Sequence, residues 1–288
     1  MTIGAVSNNY GNYLVLPAGT WSEYSYRRSS SINITSDLSI AGPINIISNS
    51  GSIWFNANLT STGAGSAILL KAAGYINNEP SKSIRTNNGA ITLWADSDGN
   101  NDGWIGLQAG TQLNSANGLT NQTTGGGTIT LAGGTTTDAN GLPTGYAYAA
   151  SSTAGWGTYS PGGIHLGAWA NSSTQSNDIR FYSGGGNIVI KGKAADGMPG
   201  IAWLSGYTGA TQIIDSGAGT ITLDGQSVNG HGIELNYGGG AVNPLLQSSS
   251  NAAIAISVTG ATTSTSYYAG YQGSATLKAS GTGGITIT

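Results

Sequence analysis

The sequence predicts an all-β protein: a right-handed parallel β-helix, or β-solenoid, of about seven repeat units of 31–38 residues with one long insertion. Three observations carry the prediction. A five-residue motif with apolar residues at alternate positions recurs along most of the chain, glycine heads nearly every copy, and a second alternating run follows most copies after 12 to 15 residues. Alternation with period two puts every second side chain on one face of a strand. A fixed recurrence of such strands marks a solenoid, in which no coil can bury its inner face alone.

Taken in chain order, residues 1–50 read as irregular N-terminal coils or a cap. Leu14-Val15-Leu16, Ile32-Asn33-Ile34, Leu38-Ser39-Ile40 and Ile44-Asn45-Ile46 look like strands, and Trp21, Tyr24, Tyr26, Arg27 and Arg28 would cover the open end. Residues 51–288 are the repeats. Their copies are GSIWF at 51, GAITL at 89, GTITL at 127, GNIVI at 186, GTITL at 219, AAIAI at 252 and GGITI at 283. The third position is Ile53, Ile91, Ile129, Ile188, Ile221, Ile254 and Ile285; the fifth is Phe55, Leu93, Leu131, Ile190, Leu223, Ile256 and Ile287. All are large and apolar, as rungs of a stacked core must be. Successive copies lie 38, 38, 59, 33, 33 and 31 residues apart.

Second runs begin at Ile68, Ile105, Ile164, Ile201 and Ile233, and weaker third runs lie near Ile84, Leu113, Ile179, Ile213 and Leu245. Three faces per unit follow. The glycines fit corners, where positive φ angles and close backbone approach are needed. The run GGGTITLAGG at 125–134 is therefore read as a corner and a strand. A phosphate loop would need a helix start and a lysine behind it, and neither is present.

The 59-residue interval holds the aromatic insertion 135–162, placed between a first and a second face. Tyr146, Tyr148, Trp156 and Tyr159 lie within it and are the candidate binding residues, because Tyr and Trp combine an apolar face with a polar tip. An aromatic flap packed on its own coil is the equal alternative. The chain stops at Gly284-Ile285-Thr286-Ile287-Thr288, one face into a new unit. The expectation is either a fragment of a longer solenoid or a protein that stacks end to end on another copy.

The phrases GAITLWA at 89, GWIGLQAG at 103 and SIRTNNG at 83 resemble the repeats of filamentous-haemagglutinin-type exoproteins, large adhesins of Gram-negative bacteria. The resemblance covers roughly residues 40–288. It implies a rod-like β-helix exported by a two-partner or autotransporter route, an extracellular or bacterial cell-surface location, and a partner that is a host or neighbouring-cell surface glycan or protein. That family's secretion domain carries NPNL-like and NPNG-like motifs, which do not occur in this sequence.

Composition narrows the function classes. Only 7% of residues are charged and the net charge is −3, so no field exists to hold nucleic acid. No run of about 18 apolar residues could span a bilayer, so no membrane insertion is expected. Cysteine is absent, which excludes disulfides and thiolate metal sites.

The most metal-like stretch is Asp96-Ser97-Asp98-Gly99-Asn100-Asn101-Asp102-Gly103, where Asp96, Asp98, Asn100 and Asp102 occupy the first four ligand places of a calcium loop. The twelfth place is Leu107 where a bidentate Glu belongs, and the sixth is Asn101 where Gly belongs. A solvated turn competes with a calcium-stabilised corner, and no other cofactor is expected. His165 and His231 have no zinc-ligand spacing. His165 and Glu234 would stand two coils apart, about 10 Å. Asp178 with Arg180, and Lys191 with Asp224, are the nearest approach to a charged catalytic set, and a cross-strand ion pair accounts for the second. Thr-x-Thr motifs at 128, 220 and 286 do not continue on every coil, which breaks an ice-binding array. No catalytic residues are assigned. The expectation is a non-enzymatic adhesin segment or fibre-forming protein, with a polysaccharide-binding or polysaccharide-cleaving β-helix as the alternative.

Overall fold

The computed structural model describes residues 13–14, 23–117, 121–150, 162–167, 178–195, 197–204, 210–237, 243–249, 251–259 and 271–288. Among these residues every regular element is a strand. The strands fall into three sheets whose members stack by parallel pairing, with one antiparallel exception in the insertion. The chain visits the sheets in rotation, and this is the arrangement of a right-handed parallel β-helix.

The first face carries the glycine-headed motif and runs through Tyr24–Arg28, Ile44–Ser48, Ile68–Ala72, Ile91–Ala95, Ile129–Thr137, Ile188–Ala194, Ile221–Ser227, Ile254–Thr259 and Ile285–Ile287. The second face includes Ile32–Ile34, Ile53–Phe55, Ile76–Asn78, Ile105–Leu107, Ile164–Leu166, Ile201–Leu204 and Ile233–Tyr237. The third runs from Leu38–Ile40 through Leu59–Ala64, Ser83–Asn87, Thr111–Asn114, Ile179–Tyr182, Gln212–Asp215 and Leu245–Ser248 to Thr276–Ala279.

Six of the seven motif copies, from Ile91 to Ile285, stack on one another in the first face. The copy at 51 does not. Ile53 stacks on Ile32 and Ile76 in the second face, and Ile68, expected there, continues the first-face ladder between Ile44 and Ile91. The physical reason is that both faces bury the same Ile-x-apolar pattern, so local alternation does not distinguish them. Residues 32–48, set apart from the repeat in the sequence, supply a complete coil in the same register. Tyr24–Arg28 is a further rung on Ile44–Ser48.

The core is one column of isoleucine, leucine and phenylalanine between the three faces. Ile44, Ile68, Ile91, Ile129, Ile188, Ile221 and Ile254 are at most 1% exposed. Each ordinary rung stands about 4.8 Å from the next, so every apolar side chain meets its counterpart above and below.

The corner before the first face explains the glycines more narrowly than the sequence did. A Cβ on Gly127 would lie 2.2 Å from the carbonyl oxygen of Gly89, one on Gly186 2.1 Å from that of Gly127, and one on Gly219 1.9 Å from that of Gly186. None of these glycines has a positive φ. Close approach between coils requires them. Each corner carbonyl also accepts a buried hydroxyl: Thr86 donates to Gly89 at 2.5 Å, Ser115 to Gly127 at 2.6 Å and Ser216 to Gly219 at 2.6 Å. Ser183 and Ser248 donate likewise to Gly186 and Ala252. A polar ladder thus runs beside the apolar one and satisfies backbone oxygens that the tight corner removes from water.

Candidate functional site

The insertion leaves the rod at Gly133-Gly134. The strand Ile129–Thr137 turns outward and pairs antiparallel with Pro143–Gly145. Gly134 has φ +77°, a conformation that glycine reaches without steric cost. The chain then returns. Ala147–Ala149 pairs in parallel with Gly192, Lys193 and Ala194, taking the ladder position that the departing strand gave up. Ala147 and Ala149 are at most 1% exposed, so this part of the insertion belongs to the core.

Tyr146 lies on the flank of the first face, within a polar cluster. Its hydroxyl donates to Asp224 Oδ2 at 2.8 Å and accepts from Gln226 Nε2 at 2.6 Å. Lys191 Nζ donates to the Thr144 carbonyl at 3.1 Å, stands 3.6 Å from Asp224 Oδ2 and lies 5.6 Å from the Tyr146 ring centroid. Burial raises the Tyr146 phenol well above its ordinary range, and the neighbouring Asp224 carboxylate adds to the effect. Lys191 and Asp224 are direct cross-strand partners, as the sequence expects.

Tyr148 is held by its backbone, which exchanges two 2.8 Å hydrogen bonds with Gly103, while Lys193 Nζ sits 5.5 Å from its ring. A third such pair lies on the same face, with Lys71 Nζ 3.6 Å from the Trp94 ring. Trp94 Nε1 donates to the Gly134 carbonyl at 2.8 Å and anchors the point of departure. Burial lowers the Lys71 pKa, with Arg27 contributing repulsion. Behind the returning strand, Trp104 stacks on Tyr75 at 4.9 Å and packs with Ala149, Ala194 and Met198 in a small second core. The two described tyrosines therefore press their rings toward lysines of their own rod. Trp156 and Tyr159, the other two candidates, lie outside the described residues.

The acidic stretch sits beside the insertion. Asp96 has φ +48° and is 2% exposed; its Oδ1 accepts from Asn101 N at 3.0 Å and Asp102 N at 3.3 Å. Asn100 Oδ1 accepts from Asp102 N at 2.8 Å, and Asp98 accepts from both nitrogens of Asn100. The loop is a turn capped by its own side chains. Asp96 also accepts Gly134 N at its carbonyl, at 3.1 Å, which ties the loop to the insertion. Burial pushes the Asp96 carboxyl up to about 6, against the pull of the two amides. Among the described residues no three His, Cys, Asp or Glu side chains form a group that could hold a metal ion.

The remaining candidates stay apart. His165 pairs with Ala202, which pairs with Glu234, so the two lie two rungs apart. Burial raises the Glu234 carboxyl, and His231 opposes the shift. Asp178, just before the strand Ile179–Tyr182, binds Arg180 within that strand and accepts Thr211 N at 2.7 Å from the next coil. The Thr211 contact joins coil to coil and engages the Asp178 carboxylate in the fold.

No family model, curated protein or solved structure matches this chain.

Proposed function

We propose that the protein is a non-enzymatic extracellular or bacterial cell-surface β-solenoid, an adhesin segment or fibre-forming unit that stacks end to end. The observation that carries the reading is the continuous stack of coils: three sheets of parallel strands run along the described residues over one shared apolar core, and Asp178 and Asp224 each pair with a cation of the same rod. Coils that bury their faces only against neighbouring coils build by repetition along one axis. Sedimentation velocity across a concentration series is the test. Assembly that grows with concentration and disappears in the Ile285→Asp, Ile287→Asp double variant is expected; a monomer at every concentration overturns the stacking.

The second reading is a polysaccharide-binding β-helix. A polar cleft on the third face favours it.

A further inference from the structure

The third face carries a cleft of about 380 Å³ that crosses three successive coils, over the strands Leu59–Ala64, Ser83–Asn87 and Thr111–Asn114. Its walls are polar: Asn58, Thr60, Lys82, Ser83, Arg85 and Gln112, closed at the corner by Ser81 and Gly110. The corner is sharply shaped. Ser81 has φ +62° and Gly110 φ +78°, and a Cβ on Gly110 would lie 2.7 Å from Ser81 Oγ. A side chain at position 110 would therefore collide with Ser81 of the coil before.

The polar groups are arranged in advance. Asn58 Oδ1 accepts from Ser83 N and Oγ, each at 3.0 Å, and Asn58 is itself held by the Asp37 carboxylate. Arg85 is exposed and gives one guanidinium N–H to Gln112 Oε1 at 2.6 Å. The guanidinium carries five N–H donors. Arg85 and Lys82 bring two positive charges to the cleft, and Asp37, at its edge, is drawn to Asn58 first and to Lys82 more weakly. Hydroxyl and amide groups without any aromatic wall suit a polyhydroxylated ligand. A planar guanidinium beside them suits an oxyanion on that ligand.

We propose that this cleft binds an acidic oligosaccharide along the rod axis, its carboxylate on Arg85 and its ring hydroxyls on Asn58, Ser83 and Gln112. Three coils span about 10 Å, so the site takes a short segment of a chain. The proposal deepens the polysaccharide-binding reading and rests on it.

The experiment is calorimetric titration of the full chain with a galacturonic acid trisaccharide and with maltotriose as the neutral control. The acidic sugar should bind and weaken with added salt, and Arg85→Ala should lower its affinity roughly tenfold. Arg85→Lys should recover part of the loss, and circular dichroism should show both variants folded. Equal binding of maltotriose overturns the acidic assignment but leaves the polysaccharide-binding reading standing. Unchanged affinity in Arg85→Ala overturns the location. Failure of both sugars to bind overturns the proposal together with that reading.

Discussion

At the residue scale, the clearest constraint is the column of corner glycines. Any side chain on Gly127 or Gly186 meets a backbone oxygen of the coil before, and backbone cannot rotate away as a side chain can. Gly127→Ala should destabilise the fold by about 1–3 kcal/mol, read from urea unfolding; no change would mean that the coils can separate at that corner. The sequence displayed these glycines but assigned them partly to positive φ, because composition does not tell curvature from crowding. It also displayed the hydroxyl ladder, in Thr86-Asn87-Asn88-Gly89, Ser183-Gly184-Gly185-Gly186 and Ser216-Gly217-Ala218-Gly219. That Ser/Thr-x-x-Gly spacing is legible in the sequence, but apolar periodicity alone does not reveal it.

Asp96 belongs to the same scale. Its folded pKa, about 6, lies above the ordinary value, 3.8, so the native state holds a proton that the unfolded chain releases. Its contribution is therefore fully present below about pH 4 and is lost as the pH rises through about 6. Asp96→Asn keeps an oxygen for the amides of Asn101 and Asp102 and carries no charge. It should raise stability at pH 7.5 by about 1–2 kcal/mol and flatten the slope between pH 4 and 6. Thermal unfolding across that range is the measurement, and an Asn variant less stable at pH 7.5 would contradict the assignment.

At the scale of elements, the insertion divides into two parts with different consequences. If residues 135–162 were wholly a surface loop, their removal would leave the fold intact. The structure limits that expectation to the hairpin tip. Shortening the turn between Thr136 and Thr144 should leave the melting temperature almost unchanged. Removing Ala147–Ala149 takes parallel partners from Gly192, Lys193 and Ala194 and uncovers Trp104, so it should cost about 2 kcal/mol or more. Tyr146→Phe isolates a smaller term. Loss of the hydroxyl leaves Asp224 and Gln226 each without one hydrogen bond, for an expected cost of about 1–2 kcal/mol in urea unfolding. A neutral result would show that water replaces the phenol. None of this was readable from the aromatic count, because Tyr146 meets residues 78 and 80 positions away.

At the scale of the whole molecule, every coil is joined to its neighbours by strands that are distant in sequence. First-face partners Ile44 and Ile68 are 24 residues apart, and Ile129 and Ile188 are 59. Loop closure must precede each contact, which slows folding in proteins built on non-local pairing. Refolding from urea should accordingly take seconds or longer by circular dichroism; completion within a millisecond would contradict a coil-by-coil assembly.

The sequence by itself determined the all-β class, the stacking of coils, and which side chains of the first-face strands point inward; on the third face the adjacent pairs Ile213-Ile214 and Leu245-Leu246 left the inward residue open, and the structure buries Ile214 and Leu246. Alternation is a local property, and Ile91, Ile129 and Ile188 announce their orientation within five residues. Only the tertiary structure decided which face each strand joins, that Ile53 and Ile68 change places relative to the sequence alignment, and that Ala147–Ala149 of the insertion belongs to the core. The reason is that all three faces bury the same apolar pattern. Orientation is written in neighbouring residues, whereas phase around the coil is fixed by partners one full turn away.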